Sequence, residues 1–195
     1  MPDDPWNDPT ITSWWQREFT DGADPEYTDQ IIPLIVDRLA GYRRVLDVGA
    51  GEGQVARALA GAGAVVTGVD PIRAQVEEAS GRSTAPARPV ADGVVRPRYA
   101  QAEAARLPFV SSAFDAAVAC LVFEHIDEVD LAIDEVARVL RPGGRFLFLL
   151  NHPLLQTPES GWIDDQLIDP PEQYWRVGPY LPEAVTLEEV QKDVF

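Results

Sequence analysis

The chain has 195 residues, which is enough for one domain with a sizeable core. It carries 32 acidic and 16 basic residues, and the formal net charge of -16 argues against nucleic acid or an anionic membrane surface as a partner. No apolar run reaches the roughly 18 residues of a membrane span, and the acidic N-terminus does not resemble a signal peptide, so we expect a cytoplasmic protein. One cysteine, Cys120, and two histidines, His125 and His152, exclude an intrachain disulfide and a Cys/His zinc cluster.

The composition changes along the chain. Both ends are acidic and rich in proline and tryptophan, whereas the centre has the regular apolar spacing of helices and strands. We therefore predict an acidic aromatic N-terminal arm over 1–30, a central domain over 31–151 and a proline-rich aromatic C-terminal arm over 152–195. Both arms are expected to be irregular, and they can serve either as a lid over a site or as packing.

In the centre, short apolar runs alternate with helical patterns. Strands are predicted at residues 44–48, 64–69, 98–102, 114–122 and 145–150, and helices at 54–60, 71–79 and 129–140. Beyond residue 150 only a weak strand pattern is found, at 184–190. Strands that are apolar throughout and separated by helices indicate an α/β fold with a parallel sheet covered on both faces.

The strongest local signal is a glycine-rich turn between the first strand and the first helix, Asp47-Val48-Gly49-Ala50-Gly51-Glu52-Gly53. Glycines let the backbone approach a ligand closely. A dinucleotide-binding fingerprint would have a further glycine at Gln54, and Asp47 and Glu52 would repel a pyrophosphate. The turn therefore favours a cationic or zwitterionic ligand, such as one that carries an ammonium or a sulfonium group.

Four stretches occur together in the order and spacing of one family. They are Val45–Gly53, Gly68–Pro71, Leu107–Phe109 followed by Phe123–Ile126, and Arg138–Gly144. Through these stretches, residues 43–151 resemble the class I S-adenosylmethionine-dependent methyltransferases, in particular the small-molecule group that includes ubiquinone and menaquinone biosynthesis enzymes. The resemblance implies a Rossmann-like, doubly wound, mostly parallel sheet with strand order 3-2-1-4-5. It also implies S-adenosylmethionine as the cofactor and in-line methyl transfer to a small-molecule acceptor.

The resemblance assigns a role to each matching residue. Asp47 matches the acid that reaches the methionine ammonium, and Asp70 matches the acid that accepts both ribose hydroxyls. Glu103 stands where the family has an aspartate that holds the adenine amine. The other expected cofactor-binding residues are Gly49, Ala50, Gly51, Gly53, Pro71, Ile72, Ala104, Cys120, Leu121 and Val122. For the acids, an ordinary structural role at a strand end or a turn is the competing interpretation.

Two histidines are candidates for a catalytic base. His125 follows the fourth strand and His152 follows the fifth, at the end of the sheet where open parallel sheets bind ligands. An imidazole titrates close to neutral pH, so either side chain could take a proton from a hydroxyl or amine acceptor. A histidine at a strand end can also be purely structural, bonded only to backbone groups.

Two other functions stay open. A nicotinamide-dependent oxidoreductase is disfavoured by Gln54 and by the lack of a Ser/Tyr/Lys set, since Lys192 is the only lysine. The alternative of a non-catalytic or truncated, weakly active cofactor-binding domain gains support because the family's C-terminal antiparallel hairpin is not found in the sequence pattern. Strand 5 is then an open edge, which needs a cover from the C-terminal arm, a second subunit or further sequence. We expect the chain to be shorter than its functional relatives.

Overall fold

The computed structural model describes residues 8–20, 23–84, 95–152, 154, 157–168, 170–179 and 181. The chain divides into two compact units, with the boundary between Leu149 and Leu150. The weak strand predicted at 184–190 lies outside the described residues. Within the described ranges, no helix is both long enough and apolar enough to cross a membrane.

A five-stranded parallel sheet forms the centre of the first unit. Its strands are β1 (Arg44–Val48), β2 (Val65–Asp70), β3 (Arg98–Gln101), β4 (Phe114–Cys120) and β5 (Leu140–Leu149). Their order across the sheet is β3-β2-β1-β4-β5, and every neighbouring pair is parallel. The prediction of a Rossmann-like sheet with strand order 3-2-1-4-5 is confirmed.

In the described part of the chain, five helices accompany this sheet: α1 (Pro9–Phe19), α2 (Ile32–Arg38), α3 (Gln54–Gly61), α4 (Arg73–Thr84) and α5 (Val129–Val139). A π-helical turn, Tyr27–Ile31, precedes α2, and a 3₁₀ turn, Phe123–His125, precedes α5. The prediction of an irregular N-terminal arm is wrong for α1. Asp8 caps this helix by accepting a hydrogen bond from the Thr10 N–H at 2.7 Å, and Pro9 occupies its first position.

Two apolar clusters cover opposite faces of the sheet. Val45 of β1 packs in one cluster with Ile35 of α2 and Leu59 of α3, whereas its neighbour Leu46 packs in the other with Val136 of α5. Successive side chains of a strand point to opposite faces. Helices α2 and α3 therefore cover one face and α5 covers the other, as the apolar strands predict.

Strand β5 starts before the predicted residue 145. Leu140 pairs with Phe114, and the regular register resumes only where Arg145 pairs with Ala116. The residues between these pairs, 141–144, form an irregular insertion that contains the Pro-Gly-Gly sequence after α5. Asp115 fills the corresponding position on β4, where it accepts a hydrogen bond from the Arg44 N–H and pairs with Arg141 Nε at 3.2 Å.

The second unit contains an antiparallel hairpin that the sequence pattern did not indicate. Its strands are β6 (Gly161–Asp165) and β7 (Glu172–Arg176), with Trp162 opposite Trp175 and their rings in a T-shaped contact at 5.5 Å. The prediction of an irregular C-terminal arm is wrong for this segment. The hairpin forms a sheet of its own, and no strand in the described part of the chain pairs with the outer edge of β5. Among the described residues, the five-stranded sheet therefore ends at β5.

Candidate active site

A cavity of about 210 Å³ opens at the C-terminal ends of β1, β2 and β4. Strand order reverses between β1 and β4, which is where open α/β sheets bind ligands. Most of the predicted cofactor-binding residues line it: Asp47, Gly49, Ala50, Gly51, Asp70, Pro71, Ile72, Glu103, Ala104, Cys120, Leu121 and Val122. His125 lines it as well, whereas His152 belongs to the second unit.

Gly53 is the one predicted cofactor-binding residue outside the cavity lining, and it shapes the loop. Its φ of +87° lies in the left-handed region, and a Cβ at this position would collide with the Tyr99 hydroxyl. The Gly53 N–H donates to the Ala50 carbonyl at 2.8 Å, which closes the turn immediately before α3. The glycine therefore permits the close approach of β3 to the loop.

Asp47 is a buried acid in the cavity lining. It is the penultimate residue of β1 and only 2 % exposed, and its Oδ2 is buried without a hydrogen-bond partner. Burial, followed by the charges of Asp70 and Glu52, raises the pKa of Asp47 to about 8. A buried carboxylate in this state is stabilised by a cationic group that donates hydrogen bonds, such as an ammonium.

Asp70 ends β2 with its carboxylate oriented by the backbone. Oδ2 accepts a hydrogen bond from the Gly51 N–H and Oδ1 accepts one from the Ile72 N–H, both at 2.9 Å. A carboxylate has about four acceptor positions, and these two N–H groups fill two of them. This geometry suits a ligand with two neighbouring hydroxyl groups.

Glu52, between the second and third glycines, is also almost fully buried. Its Oε2 lies 2.7 Å from Arg57 Nη2 and 3.2 Å from Arg82 Nη1, while Oε1 is buried without a partner. The two guanidinium groups offset the negative charge of Glu52 from outside the cavity lining. The loop can thus carry a second buried carboxylate next to Asp47.

At the base of the cavity, a tyrosine contacts the single cysteine. The Tyr27 hydroxyl, on the turn before α2, donates to Cys120 Sγ at 3.3 Å. Burial raises the pKa of the Cys120 thiol to about 11 and also raises the pKa of Tyr27. Both groups therefore stay protonated near neutral pH, so Cys120 is not a nucleophile there. No cluster of His, Cys, Asp and Glu suited to a metal occurs among the described residues.

Helix α1 and Thr20, which follows it, bring two residues to the cavity lining that are not among the predicted cofactor-binding residues. Trp15 and Thr20 line the cavity, and Phe19 and Gln16 tie the helix to its surroundings. The Gln54 amide donates to the Phe19 carbonyl at 3.1 Å, and the Gln16 amide donates to Gln75 Oε1 at 3.0 Å. Gln54, noted in the sequence only because it replaces a fingerprint glycine, thus links the loop to α1. No motif marks these contacts, because they join segments far apart in the chain.

Further polar lining residues that are not among the predicted cofactor-binding residues come from turns and helix starts: Tyr27, Glu52, Gln54, Gln75, Asp127 and Glu128. Glu52 and Gln54 flank the last glycine of the loop, so their adjacency to a recognised motif was an available signal. The others carry no such signal, since acids and amides at these positions are equally common on solvated surfaces.

A family model described as a methyltransferase domain matches residues 46–148. The chain belongs to this family. The match covers β1 to β5 with the cavity-forming loops between them, so the family assignment and the site geometry concern the same residues. The expected membership in the class I methyltransferases is confirmed.

Among curated relatives, this methyltransferase domain is 38 % identical over 122 residues to the uncharacterized methyltransferase YcgJ of Bacillus subtilis (strain 168), a match of 63 % of this chain and 44 % of that protein. It is 35 % identical over 164 residues to 27-O-demethylrifamycin SV methyltransferase of Amycolatopsis mediterranei (strain S699), covering 80 % of this chain and 56 % of the relative. The chain therefore spans about half the length of these relatives.

Solved structures agree on the fold. The crystal structure of the Bacillus YcgJ protein has a TM-score of 0.53 and 36 % identity over 60 % of this chain and 48 % of that one. An S-adenosylmethionine-dependent methyltransferase from Mesorhizobium loti has a TM-score of 0.62 and covers 81 % of this chain and 66 % of that one. At 24 % identity, the second likeness concerns the fold alone.

Proposed function

We propose that this chain binds S-adenosylmethionine and transfers its methyl group to a small-molecule acceptor. The observation that carries the proposal is a pair of acids at the ends of neighbouring strands, both facing one cavity. Asp47 has a buried oxygen without a partner, which fits the methionine ammonium. Asp70 is held by two backbone N–H groups, and this orientation fits the ribose hydroxyls.

When bound, the cofactor supplies a methyl group already activated by the sulfonium charge. The chain then has to bind the cofactor and the acceptor, align the two reacting groups and exclude water from them. Cys120, Leu121 and Val122 present an apolar wall at the end of β4, and Trp15 of α1 adds an aromatic wall. These surfaces favour a reaction site from which water is removed.

The charge of the cavity narrows the acceptor. Six carboxylates line it: Asp47, Glu52, Asp70, Glu103, Asp127 and Glu128. Across the described ranges, no lysine or arginine is part of the lining. Even with the charge of Glu52 offset by Arg57 and Arg82 and with Asp47 protonated, acidic side chains outnumber basic ones in this lining. An anionic acceptor would therefore be repelled, so we propose a neutral or cationic acceptor. Three phenols with a neutral, carboxylate or aminomethyl para substituent test this: methylation of the carboxylate member alone would contradict it.

The base for a hydroxyl or amine acceptor is proposed to be a histidine. His125 lines the cavity just after β4, and this location favours it for accepting a proton from an acceptor. For His152 the proposal rests on its position after β5 in the sequence. An acceptor that is an activated carbon would require neither histidine.

Binding of S-adenosylhomocysteine is the first test. In thermal melts this product should raise the melting temperature of the chain, whereas NAD(H) should not, and stabilisation by NAD(H) alone would end the proposal. A non-catalytic domain would be protected by S-adenosylhomocysteine yet give no product from S-adenosylmethionine with any acceptor of the series.

Asp70→Ala is the matched test of the site. Loss of a hydrogen-bonded carboxylate should weaken S-adenosylhomocysteine binding about tenfold or more, measured by calorimetry. Asp134→Ala, on the exposed surface of α5, is the control and should leave the affinity unchanged. Equal affinities of the two variants would contradict the ribose role.

A further inference from the structure

Two of the sequence motifs that mark the family contact each other directly. Arg138 of α5 donates from Nη2 to the Leu107 carbonyl at 3.0 Å and from Nη1 to the Phe109 carbonyl at 2.7 Å. Glu135, one helical turn earlier, accepts a hydrogen bond from the Leu107 N–H at 2.8 Å. These two side chains thus satisfy three backbone groups of the segment Leu107–Phe109.

The pair is itself rigid. Arg138 Nε lies 2.6 Å from Glu135 Oε1, and Arg138 Nη2 lies 2.8 Å from Glu135 Oε2, which is the two-bond geometry of the strongest ion pairs. These hydrogen bonds hold the pKa of Glu135 below its usual range. Helix α5 is anchored by Val136 and Val139, which are buried in the core. The contacts to Leu107 and Phe109 therefore start from a fixed helix.

The loop held in this way reaches the cavity at its other end. The Ala102 N–H donates to the Asp70 carbonyl at 3.1 Å, and residues 102–105 line the cavity. On the far side Leu107 is buried, and the Phe109 ring meets Phe114 in a T-shaped contact at 5.0 Å. The cavity-lining part of the loop is consequently fixed by hydrogen bonds at both ends, to the end of β2 on one side and to α5 on the other.

We propose that Glu135 and Arg138 are positioning residues that set the geometry of Glu103 and thereby the selectivity of the site for adenine. The inference rests on the proposed function, in which Glu103 faces the adenine amine. Neither Glu135 nor Arg138 lines the cavity, so their effect passes through the loop. Only three residues separate Glu103 from Leu107, so a shift of the held segment moves the Glu103 carboxylate relative to the base.

The test compares two ligands on the full chain by calorimetry. S-adenosylhomocysteine presents the adenine amine, and S-inosylhomocysteine presents a carbonyl oxygen in its place. The wild-type chain should prefer the amine by about tenfold or more, since a carboxylate accepts from the amine and repels the carbonyl. Arg138→Ala should bring the ratio of the two dissociation constants close to one, and Glu135→Gln should reduce it less.

Two controls separate positioning from general destabilisation. Arg141, three residues after Arg138, forms an ion pair with Asp115. Arg141→Ala removes this pair and should leave the affinities for both ligands unchanged. Asp70→Ala removes the proposed ribose contact and should weaken both ligands by the same factor, so that the ratio is kept.

A wild-type ratio of one, or an unchanged ratio in Arg138→Ala, overturns the inference while the proposed function stands. If Arg138→Ala does not fold, Glu135→Gln provides the test. An unchanged ratio of the two dissociation constants in that variant then overturns the inference. Failure of the wild-type chain to bind S-adenosylhomocysteine overturns the proposed function instead.

Discussion

Three buried carboxylates face the cavity, and each is held by different chemistry. Asp70 accepts backbone hydrogen bonds, and Glu52 is paired with Arg57 and Arg82. Asp47 has neither kind of compensation on Oδ2, and its pKa is raised to about 8 by burial and by the neighbouring acids. The free chain therefore keeps Asp47 protonated at neutral pH, and a cationic ligand favours the ionised form.

Cofactor affinity should accordingly depend on pH. Below a pKa of about 8, binding of the ligand ammonium must displace the proton from Asp47, so S-adenosylhomocysteine affinity should rise by about tenfold per pH unit and level off above it. Calorimetry from pH 6 to 9 measures this, and proton release in buffers of different ionisation enthalpy confirms it. In Asp47→Asn the dependence should vanish, and a flat profile of the wild-type chain would contradict the assignment.

The same shift affects stability in the ligand-free chain. The folded pKa of Asp47 is raised above the unfolded value of about 3.9, so its stabilising contribution is complete below about pH 4 and is lost as pH rises through about 8. Relative to Asp47→Asn, the wild-type melting temperature should fall over this range. A melting-temperature difference that does not change with pH would count against the raised pKa.

A side chain added at Gly51 tests whether the cofactor binds against the glycine-rich loop. The φ of Gly51 is +52°, a Cβ there would meet nothing within 4 Å, and the residue lines the cavity. Gly41 has φ +87° and equally free space, but it lies outside the cavity lining. Alanine at either position should cost about 1 kcal/mol of stability for the left-handed backbone. Only Gly51→Ala should also lose S-adenosylhomocysteine binding. Equal binding by both variants would contradict the proposal that the cofactor lies against Gly51.

At the scale of elements, the strands place the acids, and helix α1 adds Trp15 to the cavity lining. The ends of β1 and β2 meet at one edge of the sheet because the strands are parallel neighbours, and this could be predicted from the strand order. The position of α1 could not, since it depends on single amide contacts such as Gln16 to Gln75. We propose that α1 acts as a lid, a role expected for the N-terminal arm from the sequence.

The lid can be loosened without touching the cavity lining. Gln16→Ala removes the amide that bonds Gln75 Oε1, and Gln16 does not line the cavity. Loss of one such hydrogen bond, about 1 kcal/mol, should make S-adenosylhomocysteine dissociate roughly fivefold faster. Stopped-flow tryptophan fluorescence measures the rate, with Ser13→Ala on the exposed side of α1 as the control. Identical dissociation rates in both variants would show that α1 does not close the site.

At the scale of the whole molecule, the two units differ in their relation to the site. All cavity-lining residues fall between Trp15 and Glu128, within the first unit. The second unit, with its β6–β7 hairpin, carries His152. Cofactor binding and any role of His152 in catalysis are therefore expected to be separable.

His152→Ala tests this separation. It should leave S-adenosylhomocysteine affinity unchanged by calorimetry, because the cofactor contacts proposed here all come from the first unit. Turnover should fall only with acceptors that must lose a proton, and a carbon acceptor is the control. Equal loss of affinity and turnover would instead mark His152 as a structural residue.

The linear pattern of apolar strands, helices and the glycine-rich turn determined the parallel sheet and placed Asp47 and Asp70 at strand ends, whereas the strand order was implied by the family resemblance. The sheet follows from local apolar periodicity, and the two acids follow from motifs whose residues lie close together in the sequence. Tertiary structure alone decided that Gln16 and Gln54 hold α1 beside the cavity, that Tyr27 meets Cys120 and that Arg138 holds Leu107 and Phe109. Such contacts join residues far apart in sequence, and their side-chain types are equally compatible with a solvated surface. Only the packing of the elements brings them within hydrogen-bonding distance.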